Sequence, residues 1–446
     1  METVKTNIFN EAPIKRAVLS QIIPAIASQM ILLVYNLADT YFVGLLNDPI
    51  QTAAVTISYP IFLMLTALSN LLGVGGASAI ARALGRQEHE KAKQISSLSV
   101  WCGACISIIF SVVVFSFSSP LLMLCGAKAD TIKAAEAYIK WTVVIGGFFT
   151  VLNTLLANLV RSEGGATHAS IGVSIGGILN IALDPFFVLP QFIGLGAEGA
   201  AIATTISNAV ATLYFLIYMG AHHRSSVLSI HPKLLCHAKE HIGTVFSIGL
   251  PSALQYALTV VAVAAQSRFV SDYHITEAVA ALGIVKKLDQ LPLYFSIGVA
   301  NGLLPLLAFN HSAGNMKRRK GAFCFGTMIS LGFSVCCLII YEALAPELVS
   351  LFIENTVTVS YGAQFLRIMV TAMPMMSVCY PMIIQFQAMG KVKESLICSI
   401  VRKGVLDIPL LFILNAAFSL YGCMWVQPVV DTVSLVVAIT LYKRIT

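Results

Sequence analysis

The chain has 446 residues, of which 57% are hydrophobic and only 11% are charged, with a formal net charge of +7. Soluble domains carry about 25% charged residues, so this composition excludes a soluble globular protein. The excess of Lys and Arg is typical of the cytoplasmic loops of a membrane protein, and we expect no nucleic-acid partner.

Apolar runs of about 20 residues, enough to cross roughly 30 Å of hydrocarbon, recur along the whole chain. Their lengths and the polar loops between them predict an all-α polytopic membrane protein with twelve transmembrane helices in a lipid bilayer. In chain order, the spans cover residues 17–45, 53–80, 95–118, 135–159, 168–190, 197–220, 242–268, 277–309, 322–344, 362–388, 395–417 and 420–441.

The loops differ in charge from one to the next. Lys and Arg collect in alternate loops, including ARALGRQEHEKAK at 81–93 and NMKRRK at 315–320, whereas the other loops hold fewer cations and several acids. By the positive-inside rule, we expect a multi-pass protein of the cell membrane with both termini in the cytoplasm.

The two halves of the chain repeat each other. LSQIIPAIASQM at 19–30 matches FSIGLPSALQYA at 246–257, and LDPFF matches LDIPLLF, which places Asp184 over Asp407. Because each half holds six spans, the halves share one orientation and are expected to be related by an axis along the membrane normal, with a cavity between them. We predict an N-lobe at 1–220, a cytoplasmic connector at 221–241 and a C-lobe at 242–446, in a monomeric transporter.

Two carboxylates lie inside apolar spans of the N-lobe. Asp39 and Asp184 each lie six residues before the outer end of a span, and Thr204 lies some seven residues into span 6. At about 1.5 Å of rise per residue, all three are roughly 9–10 Å below the outer boundary. Tyr35 and Asn180 each precede an acid by four residues and share a helix face with it.

These oxygen ligands suit two kinds of chemistry. Carboxylate, amide and hydroxyl oxygens can hold a monovalent cation such as Na⁺, whereas a carboxyl group in a low-dielectric site can take up and release a proton. The alternative is a structural role in which each acid is neutral or bonded to nearby amides. Two acids at equal depth favour a coupling site, but the sequence does not decide between Na⁺ and H⁺. We expect no other metal and no cofactor.

The C-lobe spans carry a second set of polar side chains. Lys403 and Asp407 are four residues apart and can pair on one helix face. Two interpretations stay open: a polar network that lines the cavity, and mutual neutralisation that makes the charges tolerable. The candidate residues are Lys287, Asp289, Gln255, Gln266, Lys403, Asp407 and Asp431.

Four motifs resemble the multidrug and toxic compound extrusion (MATE) transporters. They are NLADTYFVG in span 1, RSEG after span 4, GGILNIALDPFFV in span 5 and GAEGAAIATTIS in span 6. The resemblance covers essentially the whole chain and implies a V-shaped antiporter, not an enzyme, that expels amphipathic, often cationic compounds in exchange for Na⁺ or H⁺. The N-lobe ion site that it implies comprises Asp39, Asn180, Asp184 and Thr204, lined by Tyr35, with Asn158 or Asn153 contributing from span 4.

One feature departs from part of that family. Some members place coupling carboxylates in spans 7 and 10, whereas span 10 here has no acid and span 7 offers only glutamines. The resemblance is therefore to the branch whose N-lobe acids couple transport.

Two other functions remain as alternatives. An exporter of a specific metabolite or lipid-linked saccharide usually needs a strongly cationic cavity, which the N-lobe acids disfavour. A non-transporting membrane receptor or scaffold would not require acids at matched depth. In the connector, His237 and His241 have the spacing of a metal pair, but the lack of acidic partners favours a solvated loop.

Overall fold

The computed structural model describes residues 7–445, apart from the side chains of residues 237 and 238, and all the regular structure in that range is helical. Spans 1–3 are Ile14–Gly44, Pro49–Gly85 and His89–Ser116. Span 4 comprises Ile132–Ile139, a π-helical turn at Lys140–Ile145, and Gly147–Ser162. Spans 5 and 6 are Ala166–Val188 and Ala197–Ala221.

The second half follows the same order. Spans 7–9 are Ile242–Ser271, Thr276–Ser312 and Met316–Ala343, and span 10 comprises Thr356–Val370 and Met373–Ala388. Span 11 comprises Val392–Ile400, a π-helical turn at Val401–Val405, and the start of Asp407–Ile445. That last helix breaks at Ser419, which has φ 52° and ψ −138°, and span 12 follows the break. Short helices are Asn7–Asn10, Ser118–Leu124, Pro232–Leu234, Leu235–Ala238, Lys239–His241 and Ala345–Ser350.

Eight helices in the described range are long and apolar enough to cross a membrane, and two bent helix pairs would make ten. The other two predicted spans, 11 and 12, lie in the range 392–445, where the last helix is broken at Ser419. The bent pairs are spans 4 and 10, which bend by 47° and 44° at equivalent places in the two halves. A short helix precedes each of them, Ser118–Leu124 in one half and Ala345–Ser350 in the other. The breaks therefore follow the internal repeat that the sequence predicts.

Tight turns join the helices on one side of the bundle. The turns near residues 87, 164, 314 and 390 each hold one residue with positive φ, which is Gly at the last three positions and Gln87 at the first. Glycine adopts this left-handed conformation without the steric penalty that a Cβ atom brings. Span 1 begins on the same side of the bundle. Because these turns carry the Lys- and Arg-rich sequences, we call this side of the bundle the basic side.

Glycines bring the two halves into backbone contact near the basic side. A Cβ atom at Gly249 of span 7 would overlap the carbonyl oxygen of Leu71 in span 2, and one at Gly75 would overlap that of Val245. On the other flank, Gly302 of span 8 lies against the backbone of Gln21 in span 1. Span 2 thus packs on span 7, and span 1 on span 8, through close helix approaches.

The hydrophobic core divides differently at the two ends of the bundle. Near the basic side, one cluster joins both halves, with Val18 and Leu72 packed in the same core as Val245 and Leu303. Toward the opposite side, each half has its own hydrophobic cluster: one in the first half, around Ile61 and Val143, and one in the second half. The two lobes are therefore sealed together at the basic end and diverge at the other.

Candidate functional site

Asp184 lies at the centre of a polar cluster between spans 5 and 6. Its side chain is fully buried, and the Asn180 amide donates both to Asp184 Oδ1 at 3.3 Å and to Thr204 Oγ1 at 3.2 Å. The helical spacing of Asn180 and Asp184 places them on one face, and span 6 brings Thr204 to that face. The structure thus joins three of the side chains that the sequence predicts to act together.

Asp39 of span 1 faces the same cluster. It lies within electrostatic range of Asp184, and both carboxylates lie within electrostatic range of the hydroxyl groups of Tyr35 and Tyr138. Because Tyr35 is one turn before Asp39, the predicted shared face is present. Spans 1, 4, 5 and 6 therefore converge on one pair of acids.

Three buried oxygens in this region accept no hydrogen bond from the described residues. They are Asp39 Oδ1, Asp184 Oδ2 and Asn180 Oδ1. A buried acceptor without a donor destabilises the fold. A proton on a carboxylate, or a hard cation bound by the carboxylate and amide oxygens, would remove that cost. The arrangement can hold either at the two acids.

A cavity of about 200 Å³ lies beside the acids, between the two lobes. Span 1 and span 8 meet across it, where Asn36 Nδ2 donates to Tyr294 Oη at 3.2 Å. Its polar and aromatic lining comes from both lobes and consists of Tyr35, Asn36, Asp39, Thr40, Tyr59, Phe62, Tyr138, Thr204, Lys287, Gln290 and Tyr294.

The structure does not bring Asn158 to the acids. Its amide donates to the Thr154 carbonyl at 3.1 Å, and its oxygen accepts from Arg161 at 3.4 Å. Asn158 lies four residues before the basic-side end of span 4 at Ser162, whereas Asp184 lies four residues before the opposite end of span 5. The expectation that Asn158 joins the ion site is wrong because the two side chains lie at opposite depths.

The other asparagine of span 4 is better placed. Asn153 Nδ2 donates to Asn208 Oδ1 at 2.9 Å, and Asn208 in turn donates to Thr150 Oγ1 at 3.2 Å. Asn208 is one helical turn after Thr204, so this chain extends the cluster along span 6. Asn208 is not among the predicted site residues, although its four-residue spacing from Thr204 places it on the same helix face.

Lys403 and Asp407 do not pair. Lys403 Nζ donates instead to Gln427 Oε1 at 2.9 Å, and the buried Asp407 Oδ2 has no hydrogen-bond partner. Lys403 lies within the π-helical turn at Val401–Val405, which changes the angular spacing on which an i,i+4 pair depends. The predicted pairing of these two side chains is therefore wrong.

The central ion pair of the C-lobe joins Asp431, one of the predicted residues, to Arg402, which was not predicted. Arg402 Nε donates to Asp431 Oδ1 at 2.7 Å, and their side chains are only 2% and 0% exposed. Gln427 donates to the other oxygen of Asp431 at 2.7 Å, and the guanidinium of Arg402 lies 4.4 Å from the centre of the Tyr380 ring. A positive and a negative residue in two consecutive apolar spans were the sequence feature that could have predicted this pair.

The remaining C-lobe candidates are dispersed. Asp289 lies within electrostatic range of Lys403 and Asp431, so it belongs to the same charged network. Gln266 Nε2 donates to the Cys423 carbonyl at 2.9 Å, and Gln255 lines a separate cavity of about 30 Å³.

Lys287 stands apart from that network. It is exposed and lines the cavity beside Asp39, so of the seven C-lobe candidates it alone is found in that lining. Its neighbour Lys286 points elsewhere and bonds to Ser267 Oγ at 3.3 Å.

The connector is more ordered than a solvated loop. Ser226 Oγ donates to Glu163 Oε2 at 2.6 Å, and Val227 and Leu228 are buried against the N-lobe. The expectation of a wholly solvated connector is therefore wrong, because Glu163 of the RSEG motif holds its first part. His237 lies outside the described side chains, and among those described no three His, Cys, Asp or Glu side chains are placed to hold a metal ion.

Comparisons with known proteins agree with this architecture. The MatE family model matches residues 24–186 and 251–413, once in each half. The multidrug export protein MepA of Staphylococcus aureus strain MRSA252 is 30% identical over 418 residues, covering 94% of this chain and 91% of the relative. MepA of Staphylococcus saprophyticus subsp. saprophyticus is 27% identical over 433 residues, covering 97% and 94%.

Solved structures share the fold. An outward-facing conformation of a multidrug resistance MATE family transporter of the MOP superfamily superposes with a TM-score of 0.92 at 24% identity, covering 100% of this chain and 98% of that one. Together with the family model and the MepA relatives, the two-lobed helical bundle identifies a multi-pass membrane transporter and not an enzyme. The chain belongs to the MatE family.

Proposed function

We propose that the protein is a secondary antiporter that exports amphipathic, mostly cationic compounds in exchange for Na⁺ or H⁺ by alternating access. The observation that carries this proposal is the set of three buried acceptor oxygens, on Asp39, Asp184 and Asn180, beside a cavity that Asp39 itself lines. An ion at these oxygens and a cationic compound in the cavity would compete for the same negative charge.

In this scheme the lobes at 1–220 and 242–446 rock about the connector at 221–241, as a monomer in the cell membrane. Both termini and the basic side face the cytoplasm, as the positive-inside rule favours. The lobes meet at the basic end and diverge at the other, so the cavity opens outward and releases cargo in this state. Ion or proton binding at Asp39 and Asp184 neutralises the acids and so weakens the binding of the cationic cargo.

The lining of the cavity supports cationic, amphipathic cargo. Four tyrosine rings, at positions 35, 59, 138 and 294, surround the region near Asp39. Aromatic faces attract cations and also pack against apolar groups, which suits compounds of varied shape. Lys287 is the one basic residue in the lining, so the strongly cationic cavity of a saccharide-lipid exporter is not present in the described residues. The relatives named as multidrug export proteins agree with this choice.

Flux from proteoliposomes tests the proposal. Vesicles that hold a fluorescent cationic dye should lose it against its gradient when either a Na⁺ or a pH gradient is imposed, and the effective gradient identifies the coupling ion. Dye that moves only down its own gradient, at a rate that neither imposed ion gradient changes, would refute antiport.

A further inference from the structure

Five basic side chains meet where the two lobes touch at the basic end. Arg82, Arg86, Arg319 and Lys391 all lie within electrostatic range of His311. Arg82 and Arg86 end span 2 of the N-lobe, whereas the other three belong to spans 8 and 9 and to the turn after span 10. We call this group the basic junction.

Direct contacts between the lobes surround the basic junction. Ser78 Oγ of span 2 donates to the Gln387 carbonyl of span 10 at 2.7 Å. One turn later, the guanidinium of Arg82 packs so closely on Gly390 that a Cβ atom there would overlap it. Gly85 lies against the carbonyl of Phe309 in the same way. The four cations and His311 therefore lie at a contact between the two lobes, which would separate in the alternating access proposed above.

No carboxylate in the described residues forms an ion pair with any of the five. Glu88, the acid next to Arg86 in sequence, is 3.4 Å from Lys91 Nζ on its own helix. Like charges that face each other across the lobe contact repel, and partial burial strengthens that repulsion. The described residues thus supply no counter-charge to the junction.

Buried donors in the junction also lack partners. Arg319 is only 3% exposed, and its Nε has no acceptor, although its Nη1 contacts Met389 Sδ. His311 Nδ1 and Ser312 Oγ are likewise buried and unpartnered. A buried guanidinium nitrogen without an acceptor is costly, so the site is short of acceptor oxygens as well as of negative charge.

We propose that the basic junction binds a phosphate group and that the bound anion holds the lobes together at the basic end. The oxygens of one tetrahedral anion can accept paired, bidentate hydrogen bonds from more than one guanidinium group, a geometry that a spherical chloride ion does not match. The group could belong to free phosphate or to the headgroup of an anionic lipid, because the junction lies at the end of the helices where a bilayer surface would be. Because one anion would neutralise cations of both lobes at once, its binding would favour the state that is closed at the basic side.

Thermal unfolding of the purified full chain tests this inference. The midpoint is measured in inorganic phosphate against chloride at matched ionic strength, and in phosphatidylglycerol against phosphatidylcholine. The test variant carries Arg86→Gln with Lys391→Gln, both exposed positions that tolerate substitution, and the control carries Lys317→Gln with Lys320→Gln. The control removes the same charge from the same side at residues outside the junction.

Phosphate, phosphatidylglycerol or both should raise the midpoint of the wild type and of the control by several degrees, and that of the test variant much less. Without any of these anions, the test variant should unfold at or above the wild-type temperature, because a repulsion is gone. A response to phosphate alone identifies a free anion, and a response to the lipid alone identifies a headgroup. No response to either in the wild type, or an equal response in test and control variants, overturns the proposal.

Discussion

A single amide connects the carboxylate of span 5 with the hydroxyl of span 6. Asn180 donates to both Asp184 and Thr204, which leaves its own oxygen free to accept. The orientation of this amide therefore sets which oxygens face the acids. Thr204 matters in this account because its hydroxyl holds the amide in place.

We expect Thr204→Val to weaken binding of the coupling ion by about three- to tenfold, the size of one lost hydrogen bond. Thr204→Ser retains the hydroxyl and should bind the ion as the wild type does. The measurement is the ion concentration that gives half-maximal dye efflux in proteoliposomes. Equal half-maximal concentrations for the Val and Ser variants would contradict the role of the hydroxyl.

Most of the N-lobe cluster could be predicted by counting residues from span ends. Depth and helical spacing are local properties, so Asp39, Asp184, Asn180 and Tyr35 follow from the sequence. Asn158 and Asn153 were alternatives that came from the resemblance and not from depth, and the place of Asn158 near the basic end of span 4 excludes it. Long-range partners such as Asn208 and Asn153 depend on how spans 4 and 6 face each other, which no single span reveals.

At the scale of helices, local breaks explain where sequence periodicity fails. The ends of most spans follow from apolar length, but the π-helical turns in spans 4 and 11 do not. Gly146 follows the first turn and Gly404 lies in the second, yet a glycine in a span also suits close helix packing and does not by itself mark a π-turn. Such a turn rotates the residues after it relative to those before it. Lys403 therefore bonds Gln427 and not Asp407, although it stays within electrostatic range of that acid, and Arg402 of the same turn pairs with Asp431 in span 12.

Asp431→Asn should destabilise the protein by about 3–5 kcal/mol, because it leaves the Arg402 guanidinium buried without a counter-charge. The matched control is Asp272→Asn, which breaks an Arg268–Asp272 pair at 3.2 Å whose side chains are 80% and 59% exposed. That exposed pair should contribute less than about 1 kcal/mol. Thermal unfolding in detergent measures both, and equal losses would mean that burial does not strengthen the inner pair.

Gly249→Ala should destabilise the contact between spans 2 and 7 by about 1–3 kcal/mol, since the added methyl group has no room beside Leu71. Gly243→Ala in the same helix is the control, because nothing lies within 4 Å of a Cβ atom there. Thermal unfolding compares them. A variant at position 249 that is as stable as the control would show that the lobes are not held by this backbone contact.

At the scale of the whole molecule, the sequence predicts the two lobes but not their arrangement. The internal repeat and the even number of spans imply equal orientation and a shared axis. Which end is closed is a different matter, because alternating access requires two arrangements of one sequence with similar free energies. The shared core near the basic side identifies the closed end only once the packing is seen.

The central claim is that ion and cargo compete through Asp39 and Asp184. Thermodynamic linkage requires that the ion weaken cargo binding by the same factor by which cargo weakens ion binding. A competition of this kind is visible at equilibrium in the purified protein, without a membrane or a gradient. It also separates coupling from a purely structural role of the two acids.

The most direct measurement is the affinity for a fluorescent cationic dye, titrated with Na⁺ at fixed pH and with pH at fixed Na⁺, in the wild type and in Asp184→Asn. The account predicts that Na⁺ or acid weakens dye binding to the wild type and that the variant loses most of this dependence. Asp130→Asn, an exposed acid in a loop, should behave as the wild type. Dye binding to the wild type that neither ion alters, or an unchanged ion dependence in Asp184→Asn, would contradict the account.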